Sequence, residues 1–273
     1  MTSQLHTFRD YNKPPVIETV LSIQFAPIHG LSILHVGIYW AKIRRDYPQA
    51  ELRPALGQTR EEFGPRTRRA AEFGVEVATE PALRCWFTHG DMNQLIQIQR
   101  DRFIYNWKKS NEAEAYPRYE RIKERCLFEW ERFLAFLEEE HLGKPEANQC
   151  EVTYVNHIDY EQGWKTFGEL DKVISPWSGS YSGTFLRAPE SIGLNANYVL
   201  DNNQGRLHVS MQPVIRAKDA KEVLQLTLTA RGGPTSTTTE DIFRWLDLGR
   251  EWVVEGFTDF TTSAFHERWG RTK

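Results

Sequence analysis

The apolar positions of the chain switch between two periods. Residues 16–25, VIETVLSIQF, read as a strand with both faces partly covered, because Ile17 and then Val20 with Leu21 mix the faces. Pro14 and Pro15 fix an extended approach to it, and Pro15 has no N–H for a ladder, so pairing is expected to begin after it. Glu18 is then a strand carboxylate that needs a hydrogen-bond or arginine partner if buried. Residues 31–46 carry Leu31, Leu34, His35, Ile38, Tyr39 and Ile43 along one helical stripe. Residues 47–81 have no period, are rich in Arg, Glu, Pro and Gly, and are long for a loop in a compact domain, which predicts a functional or mobile segment. Strands follow at 83–88, 93–99 and 102–108, the last two as a hairpin turning at Arg100-Asp101, with Phe103, Tyr105 and Trp107 on one face. Pro117 takes a first-turn position in a helix running to about 141. Its stripe is Tyr119, Ile122, Cys126, Leu127, Trp130, Phe133, Leu134 and Leu137, and Gly143 and Pro145 stop it.

The second half follows a similar order. A strand at 150–160 precedes a short helix at 164–174 and a Ser/Gly/Pro loop at 175–189. Strands at 191–200, 206–215 and 222–230 come next, with a turn at 201–205. Thr237 and Glu240 have capping-box spacing before a long helix with Ile242, Trp245, Leu246, Val253, Phe257 and Phe260 on its stripe. Each half thus reads strand, helix, long loop, three strands, long helix. The expectation is an α+β fold by internal duplication: two similar βαβββα halves, 1–145 and 146–273, mainly antiparallel sheet with long helices packed on one face. A pseudo-twofold arrangement would place a cleft or a broad sheet face between the halves, whether they stand apart or form one compact domain.

Charge and cysteine content narrow the class. A chain of 273 residues can bury a large core without staples, and its net charge of −3 makes no general electrostatic case for nucleic acid. Three cysteines without CxxC spacing suit a reducing compartment. The first residues are polar, and no apolar run approaches the ~18 residues of a membrane span, so a cytoplasmic protein is expected.

Several sequence blocks carry a resemblance. They are Y-x-x-P-P-V-x-E from Tyr11, Q-x-Q-x-D-R-F-x-x-N-W from Gln97, Y-P-R-Y-E from Tyr116, V-T-Y-V-N-H-I from Val152, and W-L-D-L-G-x-E-W-V-V through H-x-x-W-G-R from Trp245 to Arg271. Together they resemble a sporadically distributed family of uncharacterised bacterial proteins of about this length. Arg250 stands where that family often has histidine, which argues against proton chemistry at this position. The patchy distribution implies an accessory or mobile-element role, phage defence among the candidates.

Candidate chemistry is sparse. No HExxH, GxSxG, P-loop or dinucleotide fingerprint supports catalysis, so the balance leans away from an enzyme and no cofactor is expected. His89 with Asp91 and His157 with Asp159 are each two apart, a spacing that puts both side chains on one strand face. Two such pairs could supply four metal ligands or a His-Asp base, against the plainer reading of polar groups at a turn and a strand end. A second candidate is a sheet face in the C-terminal half. Asn195 and Asn197, then His208, Ser210 and Gln212, then Gln225 and Thr227 alternate with apolar residues. That face is polar and almost uncharged, whereas a solvated face normally carries Lys and Glu, so it could be shielded, line a cavity, receive a peptide or protein partner or face a second subunit, against the plainer reading of an ordinary wet sheet face. The third candidate is the Arg-rich loop 53–69, where Arg66, Arg68 and Arg69 could meet phosphate or nucleic acid. Glu61, Glu62 and Glu72 dilute its charge and favour a solvated loop. The leading expectation is a non-enzymatic accessory protein that binds a partner protein or ligand. A small-molecule binder or hydrolase-type enzyme using His157 and Asp159 is second, and a nucleic-acid binder third.

Overall fold

The computed structural model of the chain describes residues 9–63, 83–111, 113–179 and 183–272. Its strands are β1 (Val16–Phe25), β2 (Gln49–Pro54), β3 (Leu83–Thr88), β4 (Gln94–Gln99), β5 (Arg102–Lys108), β6 (Ala147–Asp159), β7 (Leu194–Val199), β8 (Arg206–Arg216) and β9 (Lys221–Gly232). Its helices are α1 (Ile33–Ile43), α2 (Tyr119–Glu139), α3 (Thr239–Phe260) and α4 (Ser263–Arg268). Among the described residues the nine strands form one sheet in the order β2-β3-β4-β5-β1-β6-β9-β8-β7, and every pair in it is antiparallel. β1 lies at its centre, bonded to β5 on one edge and β6 on the other, so residues 1–145 and 146–273 contribute to one sheet and one core.

This corrects the expected α+β duplication. The two similar βαβββα halves with long helices packed on one face are not what forms; a single nine-stranded antiparallel sheet dominates, and helix is the lesser part. The first half has an extra strand, β2, whose residues are all exposed. An edge strand solvated on both faces shows no alternation, and Pro54 at its end hid it further. In the second half the expected helix at 164–174 is replaced by short 3-10 turns at Tyr160–Gln162 and Phe167–Lys172, the second kinked at Glu169. Trp164, Phe167, Leu170, Val173 and Ile174 still reach the core, so burial is met without an α-helix.

One face of the sheet is apolar. Leu21, Ile23 and Phe25 of β1, Phe103, Tyr105 and Trp107 of β5, Val152 and Ile158 of β6, and Leu224, Leu226 and Leu228 of β9 are all buried. The ring of Phe25 meets Trp130 and Phe133 of α2 at centroid distances of 6.2 and 6.3 Å, and Phe103 stacks on Phe133 at 5.6 Å. In α3, a Cβ built on Gly256 would lie 2.4 Å from Leu207 Cδ2, so a side chain there would have to displace the end of the Leu207 side chain. α3 starts at Thr238, whose hydroxyl accepts from Asp241 N–H, one position past the expected cap.

The stripe expected for α1 holds in part. Leu31, Tyr39 and Ile43 are buried, but Leu34 is 76% exposed and Ile38 43%, and Val36 takes the inner face in their place. The Tyr39 ring sets this face, because it enters the cluster of Phe87, Phe133 and Phe136 at 5.2–6.3 Å.

Candidate functional site

Direct opposition in the ladders sets which side chains share a face. Asn197, His208, Thr229 and Thr153 form one row across β7, β8, β9 and β6; Asn195, Ser210, Thr227 and Val155 form the next; Gln212, Gln225 and His157 a third. All seven predicted residues, Asn195, Asn197, His208, Ser210, Gln212, Gln225 and Thr227, therefore lie together on the sheet face opposite the apolar core. The first row continues through Val20 of β1 to Asn106 of β5, and the same face extends along these strands through Ser22 with Ile104 and Gln24 with Arg102. Sequence reading missed this extension, although Ser22, Gln24, Gln97 and Asn106 alternate with apolar residues in the same way.

A strap crosses part of this face. Residues 55–63 leave β2 and run over the sheet, fastened to successive strands by side chains that stand up from it. Gln99 of β4 binds both the N–H and the C=O of Leu56, at 3.0 Å each. Arg102 of β5 donates to Gly57 O at 3.0 Å. Gln24 of β1 accepts from Thr59 N–H and donates to Thr59 O. Thr59 Oγ1 donates to Glu151 of β6 at 3.0 Å. At the end of the strap, the Glu61 side chain is 8% exposed, between Arg206, His208 Nε2 at 2.6 Å and Arg231 at 3.6 Å. Arg206 also lies over the Phe63 ring at 4.5 Å and donates to Glu62 O. Burial pushes the Glu61 carboxyl up, but the hydrogen bonds and charges of Arg206 and His208 outweigh it and hold it below the usual carboxylate range.

The strap covers the rows nearest Gln24, Glu151 and Arg231. Beyond them, Asn195, Asn197 and Gln212 are exposed, and Ser210, Gln225 and Thr227 are half-buried. This open area presents amide and hydroxyl groups with few charges. His157 Nε2 lies 3.2 Å from Gln225 Oε1, and burial, the largest influence, lowers its pKa. Glu18 accepts from Asn106 at 2.7 Å, so its partner is an amide.

The paired His-Asp reading does not assemble. His89 and Asp91 sit beyond the end of β3, with His89 Nδ1 3.5 Å from Asp91. Asp159 is held by Arg216 at 2.8 Å. Four strand spacings, roughly 19 Å, separate β3 from β6. Among the described residues no group of three or more His, Cys, Asp or Glu side chains could hold a metal ion. Of the Arg-rich loop, Arg53 belongs to β2, pairs with Glu51 and lies over Trp86 at 4.8 Å, whereas Arg66, Arg68 and Arg69 lie outside the described residues.

A second feature lies on the opposite, core side of the sheet, where the N-terminal segment, the start of α2 and the middle of α3 meet over β6. They enclose a cavity of about 310 Å³. Tyr11, Val16, Tyr116, Arg118, Tyr154 and Arg250 are among its walls. Four of the sequence blocks quoted above meet there, from both halves of the chain. Tyr11 is held by a hydroxyl contact with Thr258 at 2.8 Å and by edge contacts with Phe257, His266 and Trp269. Arg118, at φ 75°, does not cap α2 with its side chain; it pairs with Asp10 at 2.7 Å and donates to Tyr11 O. Tyr116 and Tyr154 share a hydroxyl hydrogen bond of 2.8 Å. Burial pushes the Tyr116 phenol up to about 12 and raises the Tyr154 phenol well above its usual value, so both stay neutral at physiological pH. Arg250 lies 5.7 Å over the Tyr119 ring. No sequence period could have located this site, because its walls come from four separate segments.

The chain was compared with protein-family models and with curated proteins, and none of them matches it. Among the described residues no helix is long and apolar enough to cross a membrane.

Proposed function

We propose that the chain is a non-enzymatic accessory protein that holds a partner protein or ligand against the part of its polar sheet face that the strap leaves open. One observation carries this reading: a contiguous area of amide and hydroxyl side chains on β7, β8 and β9 that is not charged like an ordinary wet surface and that, among the described residues, the strap leaves open. Such groups recognise backbone and polar side chains through direct hydrogen bonds, with little charge to desolvate. The exposed edge of β7 adds a row of backbone donors and acceptors beside them. A cytoplasmic setting is part of the proposal, supported by three buried cysteines none of which is in a disulfide. The mobile-element or defence context rests on the sequence resemblance alone.

The test is affinity capture from the native host with tagged wild type, Asn197→Lys and Gln225→Lys. The wild type retains a defined partner, and each lysine removes it while the melting temperature stays the same. Retention by both variants overturns the reading.

A further inference from the structure

We infer that the chain forms a twofold homodimer through the outer edge of β7, which joins two sheets into one. The inference goes beyond the reading given for the polar face and does not rest on it. The second copy takes the backbone edge, and the amide and hydroxyl side chains stay open on the face beside it.

The two ends of the sheet are finished differently. β2, at one end, carries Glu51, Arg53 and Pro54, the charges and the missing N–H that keep an edge from pairing. β7, at the other, reads Leu-Asn-Ala-Asn-Tyr-Val, without charge or proline, and it pairs with β8 without a bulge. Among the described residues no strand pairs with its outer edge. The N–H of Leu200 donates to Gly205 O across the hairpin to β8. By alternation, Leu194, Ala196 and Tyr198 turn their backbone groups to β8, and Gly193, Asn195, Asn197 and Val199 turn theirs outward.

Symmetry fixes what such an edge accepts. Two antiparallel copies of one edge are related by a twofold axis perpendicular to the sheet, so both carry their helices on the same side. Opposed residues then share a face, which requires both positions to be odd or both even. The register centred on Ala196 meets this rule and uses 193–199 entire. It sets Asn195 against Asn197 of the second copy on the polar face, and Leu194 against Tyr198 of the second copy on the helix side. Both pairings suit their faces. Amide meets amide, and the leucine arrives at a pocket of about 180 Å³ beside Tyr198, walled by Pro176, Leu207, Trp252 and Phe260. Glu255 and Asp259 also line that pocket, and Arg9 holds them at 3.1 and 3.0 Å. With no charged residue on β7, the twofold sets no like charges opposite each other in the new ladder.

A stable dimer needs about 1,200 Å² or more of buried surface. Backbone pairing supplies part of it. Tyr198 and Val199 on β7, and Phe185 and Leu186 in the segment that leads into it, are exposed apolar side chains that supply more. Phe185 is 93% exposed, and a ring of its kind buries roughly 150–250 Å² when covered.

Sedimentation equilibrium of the full chain tests this, and a dimer is expected at micromolar concentration. Ala196 stands on the axis in a pair without mutual hydrogen bonds, where opposed Cα atoms are about 4.5 Å apart, within disulfide reach. Ala196→Cys is therefore expected to cross-link two copies on mild oxidation, whereas wild type, whose three cysteines are buried, is not. Asn195→Lys combined with Asn197→Lys sets lysine against lysine twice and is expected to weaken the dimer about tenfold. Asn195→Lys combined with Asn197→Glu sets opposite charges there and is expected to restore it. Both asparagines are exposed, so these changes leave the fold intact. Asn197→Lys alone meets an asparagine and is expected to stay dimeric, so loss of partner capture in that variant and loss of the dimer are separable. A monomer at the same concentration, which leaves the edge to a strand of another protein, overturns the proposal. So does a folded double-lysine variant that dimerises like wild type, or a folded Ala196→Cys that does not cross-link.

Discussion

The carboxylate of Glu61 meets the imidazole of His208 at 2.6 Å across 147 positions of chain. With Arg206 and Arg231 beside it, this contact closes the strap over the sheet. Removing its charge leaves two guanidinium groups facing each other with less to neutralise them. Glu61→Gln is therefore expected to cost about 1.5–3 kcal/mol in urea melts, the worth of a hydrogen bond to a charged group. It is also expected to speed limited proteolysis within residues 55–63, read by mass spectrometry. An unchanged cleavage pattern would count against the strap being fastened there.

Acid should loosen the molecule in two stages. The Glu61 carboxyl titrates in the fold below its ordinary value near 4.3. The unfolded chain then takes up that proton first, so the stabilisation is complete above about pH 4.3 and fades as pH falls through the lower folded value. His157 and His266 are both depressed, chiefly by burial. Their contribution is complete above about pH 6.5, the unfolded value, and fades below it towards the folded values. Melting temperature against pH is expected to show both stages, and His157→Gln to shrink the upper one and spare the lower.

Glu129 behaves oppositely. It is 3% exposed, accepts from Tyr47 at 3.1 Å and from Arg132 at 3.2 Å, and burial still outweighs these partners to raise its pKa. A raised folded value means that the fold holds the proton more tightly than the unfolded chain does, so the group costs stability as pH rises past about 4.3. Glu129→Gln keeps an acceptor for Tyr47, and Arg132 keeps Asp46 at 3.3 Å. The variant is expected to melt higher than wild type at neutral pH and to lose that advantage in acid.

Gly232 ends β9 where Gln204 and Trp245 close over it. A Cβ there would lie 2.1 Å from Gln204 O and 2.7 Å from Trp245 Cζ2, and the backbone oxygen cannot move away cheaply. Gly232→Ala is expected to cost about 1–3 kcal/mol in chemical denaturation. Gly57→Ala, which would meet nothing within 4 Å, serves as the control and is expected to stay within about 0.5 kcal/mol of wild type.

Much of the sheet was legible because burial of one face writes a period of two into β3 to β9 and a clear stripe into α2 and α3. Illegible elements failed for physical reasons. β2 buries neither face. α1 has apolar residues on more than one side, so Tyr39 and Ile43 were legible as buried whereas Leu34 and Ile38, which face out, were not told apart from Val36, which faces in. The segment at 164–174 has apolar spacing that suits a helix, yet it buries the same side chains through 3-10 turns. The polar face was read correctly as a set, since alternation fixes which side chains share a side. Its strap could not be read, because nothing local links Glu61 to Arg206, His208 or Arg231. The His-Asp pairs misled for the same reason: spacing of two sets the face within a strand and says nothing about which strands become neighbours.

The central place of β1 has a consequence for synthesis on the ribosome. Its partner β5 is made within the first 108 residues, whereas β6 emerges only from position 147 onward. A five-stranded intermediate, β2-β3-β4-β5-β1, can therefore assemble while one rim of β1 still awaits its neighbour. Leu21, Ile23 and Phe25 would lie along that open rim in the nascent chain. The interval before β6 arrives is thus the window in which chaperones have most to shield.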